Sequence, residues 1–318
     1  MKAINIFICL FLLTITPAKA KQIHFSKQPQ GNQYVFHYQW LDHKSQEQSI
    51  SFALSQPALF ERFRMLKTYQ NEFAQKTIIR QVKKQLHKQP LDGAQAFFKK
   101  RAGKILIKVK GLKDNNVALA YQKVKALEQE ATKQYFKNNY YQRFTTHDRQ
   151  TGIKLDHVSI ASDSVGDFKA LKPVILDKVA INSVREVTSY ILSFVQSIPY
   201  SRLESRLSSS GSGFNPPAKL LWENQGDCDS KMTLTAALLH ALMPRLNMVM
   251  IYIDKHAFIG IAIPSNVGEM TINYQGKRYL LAEPTGPALY RLGKIAPESE
   301  LAIAQGRYVV EAFHSDNK

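Results

Sequence analysis

The chain has 318 residues, with 43 Lys and Arg against 25 Asp and Glu, a formal net charge of +18 and two cysteines. Its 44% hydrophobic and 10% aromatic content excludes a disordered or fibrous chain and leaves room for one large or two ordinary domains. Two cysteines exclude a disulfide framework and a four-thiolate zinc site.

The chain opens with a short basic start, Met1-Lys2, then an apolar run from Ala3 to Ile15 and the small-x-small pattern Ala18-Lys19-Ala20. Residues 1–20 are expected to be a cleaved secretory signal, because the run falls short of the ~20 residues a membrane span needs. The mature protein is then periplasmic or secreted, with no transmembrane segment. Cys9 leaves with the signal, so Cys228 becomes the single mature thiol. A lone thiol in an exported protein points to a reactive nucleophile or an intermolecular disulfide, with a buried inert Cys as the alternative.

Tyr34, Phe36, Tyr38 and Trp40, then Ile50, Phe52 and Leu54, alternate with smaller or polar residues and predict a β-hairpin with one aromatic face. From Pro57, three- to four-residue spacing through Leu59, Phe63, Leu66, Phe73, Ile78, Val82 and Leu86 predicts a helical stretch ended by Pro90. Two more amphipathic helices are expected, through Phe98, Ile105, Val109 and Leu112 and through Val117, Val124, Leu127 and Tyr135. A strand at Ile105-Leu106-Ile107 is the alternative for the first of these. Between Glu61 and Lys113 stand 15 Lys or Arg against three acids, a basic helical surface suited to an anionic envelope surface, or else a solvated face. Nucleic acid is not expected as a partner, since no recognition motif is visible.

A strand is expected over Gly152 to Ile160, and the polar segment Ala161–Asp167 is the candidate boundary. The expected organisation is thus an N-terminal β-hairpin and basic helical domain over 21–165 and a second domain over 170–318. In the latter, Ser183-Val184-Arg185-Glu186 reads as a capping box opening a helix that Pro199 stops. Ser208 to Gly213 reads as a loop bordering a substrate groove or as a plain solvent loop.

Gly226-Asp227 supplies a turn and an N-cap, so Cys228 falls in the first turn of a buried helix running to Met243 and stopped by Pro244. Unpaired N–H groups and the helix dipole there favour a thiolate and can hold an oxyanion. Asp227 and Asp229 oppose the thiolate, so a partner base is required. Met248 to Ile253 reads as a buried strand, His256 opens the next, and Met270 to Tyr274 and Lys277 to Glu283 form a strand pair around a Gln275-Gly276 turn. The segment from Ala302 to Phe313 is a helix or strand closing the domain.

Gly226-Asp227-Cys228, then His256-Ala257-Phe258, then Leu281-Ala282-Glu283-Pro284-Thr285 resemble the transglutaminase-like superfamily of papain-type cysteine enzymes, over roughly Ser183 to Tyr290. The resemblance implies an α+β fold in which the Cys-bearing helix packs on an antiparallel sheet. It also implies a catalytic triad of Cys228 as nucleophile, His256 as general base and acid, and Glu283 as the orienting acid, where the family usually has Asp. It is similar too to bacterial transglutaminase-like cysteine proteinases that release periplasmic adhesins, in which two acids follow the Cys and calcium binds nearby. Here Asp229 matches the first acid and Ser230 replaces the second, so calcium at Asp227 and Asp229 is the one metal reading, against helix capping by the same residues. No other cofactor is implied. The oxyanion candidates are the Cys228 N–H with Trp222 or Gln225, whose alternative is packing beneath the turn.

The implied function is a thiol protease or amidase, a hydrolase acting on a protein or peptide through a thioester. The alternatives are a crosslinking transglutaminase, or a non-catalytic envelope protein that binds anionic surfaces through its basic helices.

Overall fold

The computed structural model describes residues 21–101, 103–179, 183–204 and 213–313. The expected signal at 1–20 and residues 208–212 of the Ser/Gly loop lie outside the described residues.

Three antiparallel strands come first, β1 (Lys21–Gln30), β2 (Gln33–Leu41) and β3 (Glu47–Ser55). The β2–β3 pair is the expected hairpin, with Phe36 opposite Phe52 and Tyr38 opposite Ile50. Six of the seven large side chains of its aromatic face, Phe36, Tyr38, Trp40, Ile50, Phe52 and Leu54, are buried, and Tyr34 is half-buried. Strand β1 escapes an alternation test because only Ile23 and Phe25 interrupt its polar residues.

The helical stretch expected from Pro57 to Leu86 is two helices, α1 (Gln56–Phe60) and α2 (Asn71–Lys88). Tertiary bonds hold the chain between them out of the helix. Arg62 forks onto Asp167 at 2.6 and 2.7 Å, and Tyr141 Oη donates to the Lys67 carbonyl at 2.7 Å. The next expected helix is a β-hairpin, β4 (Ala94–Arg101) and β5 (Lys104–Gly111), in line with the strand alternative at Ile105–Ile107. Its apolar residues fit a period of two, since Ala96, Phe98, Ile105 and Ile107 all pack inward, and Gly103 turns the chain at φ +72°.

Helix α3 (Asp114–Asn138) follows as expected, then a short hairpin, β6 (Tyr141–Thr145) and β7 (Thr151–Leu155). The strand expected to Ile160 stops at Leu155 because Asp156 caps a helix, accepting from the Ser159 N–H at 2.9 Å. That helix, α4 (His157–Phe168), contains Ala161–Asp167 and buries Ile160, Ala161, Ser164 and Phe168 on one face. The segment is therefore packed helix and no linker.

After α5 (Leu171–Leu176) come α6 (Val184–Ser197), α7 (Pro217–Glu223) and α8 (Cys228–Leu242). Ser183 caps α6 by accepting from the Glu186 N–H at 3.1 Å. The remaining strands, β8 (Met248–Ile253), β9 (His256–Ile261), β10 (Thr271–Tyr274), β11 (Lys277–Ala282) and β12 (Val309–Phe313), form an antiparallel sheet in the order β10-β11-β9-β8-β12. Helix α9 (Pro297–Ala304) precedes β12, so the C-terminal segment is both helix and strand. The fold is α+β with antiparallel sheets.

One large core joins the aromatic face of β2–β3 to α4, α6, α7, α8 and the inner face of the five-stranded sheet. Tyr38 and Trp40 pack against Phe194 of α6, and Trp40 Nε1 donates to Ser193 Oγ at 3.0 Å. The outer sheet face has its own cluster around Ile251, Phe258 and Leu281. Apolar cover on both faces explains why β8 reads as a continuous apolar run. A separate smaller core, around Ile78, Val82, Val124 and Tyr141, holds α2, α3 and the β4–β5 and β6–β7 hairpins together.

Candidate active site

Cys228 is the first residue of α8, and two local devices fix it there. Asp227 accepts from the Ser230 N–H at 2.9 Å through its side chain and from the Lys231 N–H at 3.0 Å through its carbonyl. Gly226 lies so close to α7 that a Cβ would stand 2.6 Å from Cδ1 of Leu220. Its N–H donates to the Pro199 carbonyl at 3.2 Å, and its own carbonyl accepts from Ser201 at 3.1 Å, so the turn is tied to the chain leaving α6. The thiol is free and partly exposed, at a helix end that favours negative charge.

His256 follows the two-residue turn between β8 and β9, paired with Ile253. Glu283 follows the last residue of β11. Because β9 and β11 are antiparallel neighbours, with Ala282 opposite Ile259, the end of one strand meets the beginning of the other. The three residues that the sequence singles out come together: His256 Nδ1 lies 2.9 Å from Cys228 Sγ and His256 Nε2 lies 3.0 Å from Glu283 Oε1. Glu283 is only 4% exposed and is held from three sides. Its second carboxylate oxygen accepts from the Ala296 N–H at 2.9 Å. Its carbonyl accepts from Gln196 Nε2 at 2.8 Å, and the same amide donates to the Tyr290 carbonyl at 2.8 Å.

Burial works against a charged imidazole at His256, but hydrogen bonds to Cys228 and Glu283, with their charges, outweigh it and push His256 up to about 10. At neutral pH the ring therefore carries a proton, poised between an acid and a sulfur. Asp227 moves in the opposite functional sense to an ordinary carboxylate: burial, then repulsion from Asp229, push it up to about 7. Asp229 keeps about two-fifths of its side-chain surface open, yet enough protein surrounds it that desolvation raises it despite Lys154 and His256. Both shifts run toward the neutral carboxyl, the direction that eases the opposition to a thiolate at Cys228. The neighbouring His157 is held neutral by burial, and its Nε2 stands 3.9 Å from Asp229.

Lys231, one turn into α8, is fully buried and donates to the Ile198 carbonyl at the end of α6. Burial pulls it down to about 7, while the Cys228 charge acts to raise it. The lysine thereby ties the first turn of α8, which carries Cys228, to the C-terminus of α6. The sequence carries a signal for it and for Gln196, since each is a polar residue inside an otherwise apolar helical segment. It carries no signal for the wall over the site. Phe144 of β6 and Lys154 of β7 lean on Tyr252, with the Lys154 ammonium 3.9 Å from that ring and 2.9 Å from Glu311. Together with Tyr200 and Arg202 they border a cavity of about 670 Å³ that reaches Cys228 and His256.

Trp222 and Gln225 do not line that cavity. Trp222 packs edge-on against Tyr34 and Phe60 with the Lys27 ammonium 3.6 Å above its ring, so it anchors α7 to the N-terminal sheet. The Gln225 carbonyl accepts from Asn215 Nδ2 at 3.2 Å. Trp222 is thus packed as its alternative reading has it, and the left-handed Asn224 that ends α7 turns the chain between Trp222 and the Gln225-Gly226 turn. Asp227 acts as a cap, and among the described residues no three or more His, Cys, Asp or Glu side chains gather as a metal site. No helix among the described residues is long and apolar enough to cross a membrane. Compared with protein-family models, curated proteins and solved structures, the chain matches none.

Proposed function

We propose that this protein is an exported thiol-dependent acyl-transfer enzyme of transglutaminase-like type, acting mainly as a protease or amidase. The observation that carries the reading is the unbroken relay from Glu283 through His256 to Cys228, with contacts of 3.0 and 2.9 Å at the head of a helix. Helix, strand start and strand end occur in the order that the family resemblance implies.

In the reaction, the Cys228 sulfur attacks the carbonyl carbon of an amide, and the negative charge passes to the carbonyl oxygen beside the N–H groups of the first turn of α8. The tetrahedral adduct collapses as His256 gives its proton to the departing amine, the C–N bond breaks and a thioester remains. Water, deprotonated by His256, attacks the thioester and returns the thiol. Glu283 holds the ring with Nδ1 toward the sulfur and balances its charge throughout. An amine in place of water makes the same thioester a crosslink.

The test uses wild-type protein and Cys228→Ala with a mixture of denatured envelope proteins, followed by mass spectrometry of the products. New peptide termini generated only by wild type are the expected result. Crosslinked amides without new termini reassign the acceptor as an amine, and identical product spectra from both proteins contradict the proposal.

A further inference from the structure

The outward face of the β4–β5 hairpin is built from four cross-strand pairs: Gln95 with Lys110, Phe97 with Lys108, Lys99 with Leu106, and Arg101 with Lys104. Five of these eight residues are cationic and none is acidic. Among the described residues none of the five cations enters an ion pair. The opposite face of the hairpin is already occupied, because Ala96, Phe98, Ile105 and Ile107 pack onto the smaller core. Register therefore commits every outward side chain to solvent, and the two apolar ones, Phe97 and Leu106, are 42% and 45% exposed.

We propose that this face binds the surface of an anionic lipid bilayer. Charge complementarity selects an anionic partner, since five cations without an acidic partner, one of them Lys110 with its ammonium 5.7 Å from the Phe97 ring, lie on a patch two strands wide. The interleaving selects the lipid. A bilayer interface takes Phe97 and Leu106 among its upper acyl segments while the flanking lysine stems run outward and leave their ammonium groups among the headgroups. Phosphates of a nucleic acid satisfy the cations but leave Leu106 in water, because an aliphatic side chain offers no stacking surface for a base. The patch lies on the smaller core, away from the Cys228 cavity, so the proposal stands whether or not the catalytic reading holds.

The test is co-sedimentation of the full chain with vesicles of phosphatidylcholine alone and of phosphatidylcholine with about one-third phosphatidylglycerol. Binding to the anionic vesicles only is expected. Each Lys near such a surface is worth about fivefold in partitioning, so the double reversal Lys104→Glu with Lys108→Glu should lower it by roughly tenfold or more. Phe97→Ser with Leu106→Ser keeps every charge and should also weaken binding by several-fold. Reversing Lys133 and Lys137 on α3 should change it less than twofold. All three double variants should keep wild-type alkylation of Cys228, which reports that they are folded. Equal binding by the Phe97/Leu106 variant, an equal loss on reversing Lys133 and Lys137, or tighter binding to a short DNA duplex than to anionic vesicles would each overturn the proposal.

Discussion

Glu283 divides its carboxylate between His256 Nε2 and the Ala296 N–H, so its charge and its position are separable. Glu283→Gln keeps the size and an acceptor oxygen but removes the charge that balances the imidazolium, and should slow turnover by about 10- to 100-fold with little loss of fold. Steady-state rates measured beside a thermal melt distinguish this from unfolding. Asp227 makes a second residue-scale prediction, about stability. Its folded pKa is raised to about 7 against an ordinary 3.8, so the folded state holds this proton more tightly than the unfolded chain. The stability this contributes is present below about pH 3.8 and is lost as pH rises through 7. Asp227→Asn keeps the capping oxygen and removes the titration. The variant should therefore melt above wild type by a few degrees at pH 8 and should not do so at pH 4.

At the scale of elements, the position of Cys228 depends on how closely the turn before α8 approaches α7. Gly226→Ala drives a Cβ into Leu220 and should cost about 1–3 kcal/mol, with slower Cys228 alkylation in the protein that remains folded. Denaturant unfolding and alkylation rates on the same sample check both parts. The elements that carry Cys228 and His256 were legible because their signals are redundant. Helix α8 has a turn, a cap and an apolar body ended by Pro244, and β8 is an apolar run directly before His256. Elsewhere the signals conflict. Phe98, Ile105 and Val109 fit a helical spacing as well as a strand, and only the inward packing of the hairpin on α2 and α3 decides between them. The break between α1 and α2 rests on Arg62 finding Asp167, more than a hundred residues away, which local pattern cannot register. Trp222 illustrates the same limit at the site, since its neighbours Tyr34 and Phe60 come from a distant sheet and helix.

For the whole molecule, the two cores give different parts of the chain different partners. The aromatic N-terminal sheet shares the core that supports Cys228, His256 and Glu283, whereas α2, α3 and the β4–β5 hairpin cohere around Val124 and its neighbours. Val124→Ala should loosen that smaller core by about 1–3 kcal/mol. Amide hydrogen exchange should then rise across α2 and α3 while α8 and β9 keep their protection. Trp40→Ala, by contrast, removes the Ser193 hydrogen bond and a fully buried ring from the large core, and should expose α6 and α8 together. The hairpin walls around the site then join the two parts functionally, because Phe144 and Lys154 belong to the β6–β7 hairpin yet rest on Tyr252 beside Cys228. The central claim, that Cys228 and His256 act as one activated pair, is tested most directly by the rate of Cys228 alkylation between pH 6 and 8 in wild type and in His256→Ala. Fast alkylation in wild type with a loss of at least tenfold in the variant is the expected result, and equal rates in the two proteins contradict the account.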